Sequence, residues 1–507
     1  MKKIGFDTQK YLDAQVKRII ERVALFDKLY LEFGGKLRFD NHASRVLPGF
    51  QVDTKIKMLK KLGDDLEIIH CISAKDIDRR KVRRDFGLTY EDQILKDIND
   101  LGELGLAVSA VIINRFNGEQ SALKFKQRLE NRGIRVFIAY EIPNYLEDID
   151  LVVSDEGYGK PEWVPTEKKI IVVTAPGPNS GKMSFAMSQV YQDRKRGIMS
   201  GFAKFETFPI WDLPVEHPVN IAYEAATADL GDYNCVDPWH LKAYGEESTN
   251  YNRDVENFVI MERIIERMVP DGDPMTEIKS PTDMGVNMAN QGIIDDDVIQ
   301  VASRQEVLRR YYQYKREYVE GNTTFDTMER MEKIMERVGV KPEDRDVATA
   351  ANKAMEISKE AEDKGSNGLY SGAAIEIWMN NKPVIVTGKR SPILHSESAA
   401  LLNAVKFLSG VPDEIDVLSP IIIESIRKLK ISMGLSDVSL DVREVLDALA
   451  VSAVFNPNAA ECLDELPALK NCEWHSTHIM DPGCEQPLKE LGLNITTDAI
   501  IPRVNST

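Results

Sequence analysis

Cysteine is scarce in this sequence: Cys71, Cys235, Cys462, Cys472 and Cys484 are the five among 507 residues. An odd, scattered set excludes a disulfide framework and points to a reducing compartment. Apolar runs of about 18 residues, long enough to cross a bilayer, are missing. The opening MKKIGFDTQKYLDAQ lacks the apolar stretch of a secretory signal. A cytoplasmic location is expected. Positive charge is in deficit, with 64 Lys and Arg against 81 Asp and Glu for a net charge of −17. A field of that sign repels phosphate backbones and anionic lipid surfaces. Neither nucleic acid nor a membrane is an expected partner. One basic run departs from the trend: Arg79, Arg80, Lys81, Arg83 and Arg84. Its ordinary reading is a solvated face, and the alternative is an anion-binding lip. Repeats and low-complexity tracts are also missing, so a chain of this length should fold as roughly two to four globular domains.

Apolar periodicity organises the first third. Helical spacing over 8–26, 54–62, 90–104 and 119–132 alternates with short apolar runs at 28–33, 66–73, 108–116, 134–140, 151–154 and 169–176. Alternating helices and strands imply crossovers and a parallel sheet. Runs apolar on both faces, such as KIIVV, fit a sheet covered on each side. The expected fold class is α/β: a doubly wound parallel sheet over 1–235, a helical insertion over 236–340, and a C-terminal α/β subdomain over 341–507. In that last part AAIEIWM and KPVIVTG flank Asn380-Asn381, residues that tolerate the turn of a hairpin.

The strongest chemical signal is TAPGPNSGKMS at 174–184, between an apolar strand and a helix. Such a turn aims several backbone N–H groups at one point, and the helix N-terminus adds partial positive charge. Gly177, Pro178, Asn179, Ser180, Gly181, Lys182 and Ser184 are the expected phosphate-binding residues. The match to G-x-x-x-x-G-K-[ST] is incomplete. Pro176 occupies the first glycine position, and Met183 stands where a magnesium-binding hydroxyl is required. Ser184 follows, turned about 100° further round the helix. A second glycine turn, Gly34-Gly35-Lys36, closes the strand KLYLEF. In parallel sheets ligands gather at the carboxyl ends of strands, so both turns should share one edge. His42 and Arg45 are further pocket candidates. Arg253 in NYNRDVENF could clamp a phosphate, although an arginine beside Asp254 and Glu256 is ordinarily salt-bridged. SPTDMGVN at 280–287 could close the same cleft.

The segments YLEFGGK, HASRVLPGF, VVSDEGYGK, VVTAPGPNSGK, GFAKFETFPIWDLP, HPVNIAYEAATADL, NYNRDVE and SPTDMGVN carry a resemblance. In them the chain resembles a bacterial family known as domain of unknown function 1846. The resemblance implies a P-loop-like N-terminal part, a helical insertion and a distinct C-terminal subdomain. It assigns no catalytic residue and no cofactor.

The C-terminal part looks like a cytidine-deaminase-type fold, with a hairpin followed by a helix opening His395-Ser396-Glu397. Zinc deaminases pair H-x-E with P-C-x-x-C. The nearest candidate, NPNAAEC at 456–462, lacks that pattern. Cys472, His475, His478 and Cys484 form a second loose cluster; on a strand His475 and His478 would face apart. No metal is expected at either place. Three functions remain open: a metabolic enzyme holding a nucleotide or phosphorylated substrate, a non-catalytic sensor of such a ligand, and a structural protein with no phosphate site. Homo-oligomers are compatible with all three.

Overall fold

The computed structural model describes residues 3–35, 37–83, 87–363, 365, 366, 368–379 and 382–501, with Arg83 described by its backbone alone. Lys36, Arg84 and the Asn380-Asn381 turn lie outside the described residues. The chain separates into two compact units. One comprises residues 4–224 and 232–303; the other holds 225–231 and the chain from Arg304 onward.

The first unit is built on a seven-stranded sheet. Its order is Gly285–Val286, Ser200–Phe205, Lys28–Phe33, Ile170–Thr174, Leu66–Ser73, Val108–Phe116 and Val136–Tyr140. Every pairing is parallel. The two central strands, Lys28–Phe33 and Ile170–Thr174, are buried at every residue. Successive side chains point to opposite faces, so both faces are covered there. Helix starts follow their caps. Asp7 accepts from Gln9 and Lys10 ahead of Thr8–Val23, and Thr89 accepts from Asp92 ahead of Tyr90–Glu103.

Two local expectations change. Residues 151–154, expected as a strand, instead end a short helix, Ile149–Val152, opened by Asp148 accepting from Leu151 N, and turn at 153–154. The cap and the tight fold-back at Gly157 outweigh β-branched composition: a Cβ on Gly157 would sit 2.2 Å from the Leu151 carbonyl oxygen. Conversely, Ser200–Phe205 is a strand the hydrophobic pattern passes over, because Gly201 and Lys204 interrupt it. Gly201 is required by close approach, since a Cβ there would lie 2.5 Å from the Phe26 ring.

The second unit holds a four-stranded sheet ordered Lys382–Lys389, Gly372–Met379, Glu473–Ser476, Asn494–Thr497. Its first two pairings are antiparallel and the third parallel. Ile375, Ile377, Leu401, Val405, Leu449, Trp474 and Leu488 form its core with the helices Ser396–Ser409, Val442–Ala453 and Pro482–Glu490. Among the described residues no helix is long and apolar enough to cross a membrane.

Candidate functional site

Glu32 pairs in register with Val173, so Gly34-Gly35 and the 175–181 loop leave adjacent strands at the same edge. The loop is fixed from below. Asn114, at the end of its own strand, donates through Nδ2 to the Ser180 carbonyl at 2.8 Å, and Ser180 Oγ donates to the Gly177 carbonyl at 2.8 Å. Tyr90 packs so close that a Cβ on Gly177 would lie 2.1 Å from its Oη. Asn179 at φ 60° and Gly181 at φ 79° are left-handed. They turn the chain into helix Lys182–Lys195. The backbone N–H groups of Asn179, Ser180, Gly181, Lys182, Met183 and Ser184 donate to no acceptor among the described residues.

Lys182 does not stand free in solvent. Its side chain is 12% exposed, and Nζ lies 3.5 Å from Glu32 Oε1. The other oxygen, Glu32 Oε2, is buried and accepts no hydrogen bond among the described residues. The Tyr145 hydroxyl lies near Ser184 and is hydrogen-bonded to Tyr158 at 2.5 Å. Arg253 reaches the loop: Nη1 donates to Asn179 Oδ1 at 3.3 Å, while Nη2 meets Asp232 at 2.5 Å. At the neighbouring turn Lys55 donates to the Gly34 carbonyl at 3.1 Å and pairs with Asp40 at 3.0 Å. Gly35 is left-handed at φ 66°. From 280–287, only the end reaches this edge, through Val286 pairing with Phe205. Its first half is tied down by Asp237, which accepts from Thr282 Oγ1 at 2.8 Å. His42 packs edge-on against Phe208 and Tyr223 within an aromatic group.

A second charged group at this edge escaped the sequence reading. Lys204 is buried between Asp254, in direct contact, and Glu206 at 3.4 Å. Burial holds the Glu206 carboxyl above the ordinary range against the pull of Lys204, with Asp254 and Glu32 adding repulsion. Beneath the loop, burial pushes the Cys71 thiol up to about 12. In KFE, Lys204 and Glu206 are two residues apart, which on a strand places them on one face; that spacing was the available signal. Of the basic run, Arg79 and Arg80 are exposed and Lys81 lies 3.5 Å from Asp76.

Two family models cover the chain: the N-terminal part of domain of unknown function DUF1846 matches residues 4–339, and its C-terminal part matches 343–505. The chain belongs to the DUF1846 family. A UPF0371 protein of Fusobacterium nucleatum is 47% identical over 504 residues, covering 99% of both chains. Counterparts of Clostridioides difficile and Clostridium tetani are 46% and 45% identical, each covering 99% of this chain and 99% and 98% of their own.

The C-terminal part of this DUF1846 chain holds the other candidate residues. The expectation of no metal rested on partners sought at 456–462 and on His475 facing away from His478. Cys462 is buried instead beside Ser409 Oγ at 3.2 Å. His475 is fully buried, with Nδ1 2.9 Å from Thr496 Oγ1. Cys472 is buried in the core. The fold brings different partners to His395. Nδ1 lies 3.4 Å from Asp481 Oδ2 and 3.4 Å from Cys484 Sγ. His478 Nδ1 lies 3.8 Å from Glu397. The ground for excluding a metal at His395 therefore fails. Asp481-Pro-Gly-Cys484 has the i, i+3 spacing sought in P-C-x-x-C, with a carboxylate in place of the first thiol.

Proposed function

We propose that the carboxyl edge of the seven-stranded sheet binds the phosphate of a nucleotide or small phosphorylated metabolite, on a P-loop-like turn. The carrying observation is the row of backbone N–H groups at 179–184 without protein acceptors, converging with Lys182 and Arg253. The first N–H groups of a helix have no intrahelical acceptor, and an anion satisfies several at once. Lys182 rests on Glu32 and transfers to the phosphate when ligand arrives. Arg253, hydrogen-bonded to Asn179 Oδ1, supplies a second cation at the loop.

Met183 at the hydroxyl position favours binding without magnesium held in the P-loop manner. A sensing role is therefore the second reading, with a metabolic enzyme the first. A thermal-shift panel with ATP, GTP, sugar phosphates and pyrophosphate tests the site. At least one should raise Tm, increasing with the logarithm of ligand concentration above Kd, as mass action requires. A flat response to all of them overturns the proposal, and turnover of the ligand that binds separates enzyme from sensor.

A further inference from the structure

The second unit carries a cluster that the phosphate reading does not use. His395 caps helix Ser396–Ser409, and Asp481 caps helix Pro482–Glu490. One ligand atom each from His395, Asp481 and Cys484 lie within 4.8 Å of one another. A tetrahedral ion with bonds of about 2.0–2.3 Å separates its ligands by about 3.3–3.8 Å. The two 3.4 Å separations from His395 Nδ1 fall within that span.

The surroundings are those of a ligand set and not of a chance contact. The other imidazole nitrogen, Nε2, faces Asp437 Oδ2 at 3.3 Å. Asp437 is itself held by Arg390 and by the Ser439 N–H at 3.0 Å. A carboxylate on the distal nitrogen fixes ring orientation and strengthens the imidazole as a ligand. The Asp-Pro-Gly-Cys turn is tight, since a Cβ on Gly483 would meet Asp441 Oδ2 at 2.2 Å. The Cys484 N–H donates to Asp481 Oδ1 at 3.0 Å, leaving Oδ2 directed at His395. The independent observation is Glu397. It is fully buried, Oε2 accepts from Ser396 Oγ at 3.0 Å, and Oε1 faces His478 Nδ1 at 3.8 Å but accepts no hydrogen bond among the described residues. A buried carboxylate oxygen without a donor calls for a partner.

We propose that His395 Nδ1, the Asp481 carboxylate and Cys484 Sγ hold a zinc ion, with the fourth position left open. Nitrogen, oxygen and sulfur donors suit a borderline-soft ion, and three protein ligands leave the position that hydrolytic zinc sites keep open. Asp481 is exposed, so that position opens towards solvent. Bound there, the ion would supply Lewis-acid activation of a water, with no oxidant or reductant needed. The chemistry offered is hydrolytic.

The test uses the full chain, expressed with zinc or cobalt and purified without chelator or affinity metal. Elemental analysis should return about one zinc per chain. The cobalt form should show a thiolate-to-metal band in the near ultraviolet and tetrahedral bands in the visible. Cys484→Ser should abolish the thiolate band, and Cys235→Ser, with the same chemistry elsewhere, should keep it. Asp481→Asn should lose most of the metal. Circular dichroism checks that each variant folds. Zinc below about a tenth per chain, or a thiolate band that survives Cys484→Ser, overturns the site.

Discussion

In the C-terminal unit Arg345 is fully buried and every branch of it is satisfied. Nε donates to Thr496 Oγ1 at 2.8 Å, Nη1 to Glu473 at 3.2 Å, and Nη2 to the Trp474 carbonyl at 3.3 Å. Glu473 takes Arg309 as well, at 2.9 and 3.1 Å on its two oxygens. At the edge of the seven-stranded sheet the same residue types are buried but left incomplete. Glu32 keeps an oxygen without a donor, and the loop keeps a row of donors without acceptors. A saturated cluster has no capacity left for a ligand and serves the fold. An incomplete one carries a standing desolvation cost that a ligand relieves.

The largest effect that would break this contrast lies at Arg345. Arg345→Ala takes one of its two arginines from Glu473 and leaves a cavity in the interior, and should cost about 2–5 kcal/mol in urea unfolding. A loss below about 1 kcal/mol would mean that cluster is no more structural than the edge.

Next comes Lys182→Ala, expected to weaken binding of whichever phosphate ligand raises Tm by about tenfold or more, as loss of a charge-assisted contact does. Glu32→Gln should do the opposite, because it removes the carboxylate competing for the lysine. Calorimetric affinities that fall equally in both variants would make Lys182 and Glu32 a structural pair like the one at Arg345.

The loop's own geometry gives a smaller effect. Gly181→Ala places a Cβ at positive φ, 2.8 Å from the Asn114 side chain, and should destabilise by about 1–3 kcal/mol. Gly102, with nothing within 4 Å of its Cβ position, is the reference. There the same change sits in helix Tyr90–Glu103 and should stabilise by up to about 1 kcal/mol.

The smallest effect is a slope in pH. Glu206 is raised in the folded state, so folding favours its protonated form. Its contribution is fully present below the unfolded value of 4.5 and is lost as pH rises through the folded value. Stability measured across that window should therefore decline more gently in Glu206→Gln than in the native chain. Identical slopes would remove Glu206 from the list of strained groups at the edge.

The sequence by itself determined the parallel sheet's central strands and the two glycine turns. Period-2 and period-3.6 patterning is local, and a βαβ chain has little freedom in strand direction. It also marked the hairpin and the His395 helix. It did not place Ser200–Phe205, where Gly201 answers to Phe26 and to nothing nearby in the chain. Nor could it pair Lys182 with Glu32, since their approach across about 150 residues depends on strand register. The same holds for His395 with Asp481 and Cys484. Each half was visible as a short polar motif at a helix start, but two helix N-termini meet only once the four-stranded sheet has set Glu473–Ser476 beside Gly372–Met379. Local pattern fixes elements because its physics acts within a few residues; which distant side chains share a site is decided by packing.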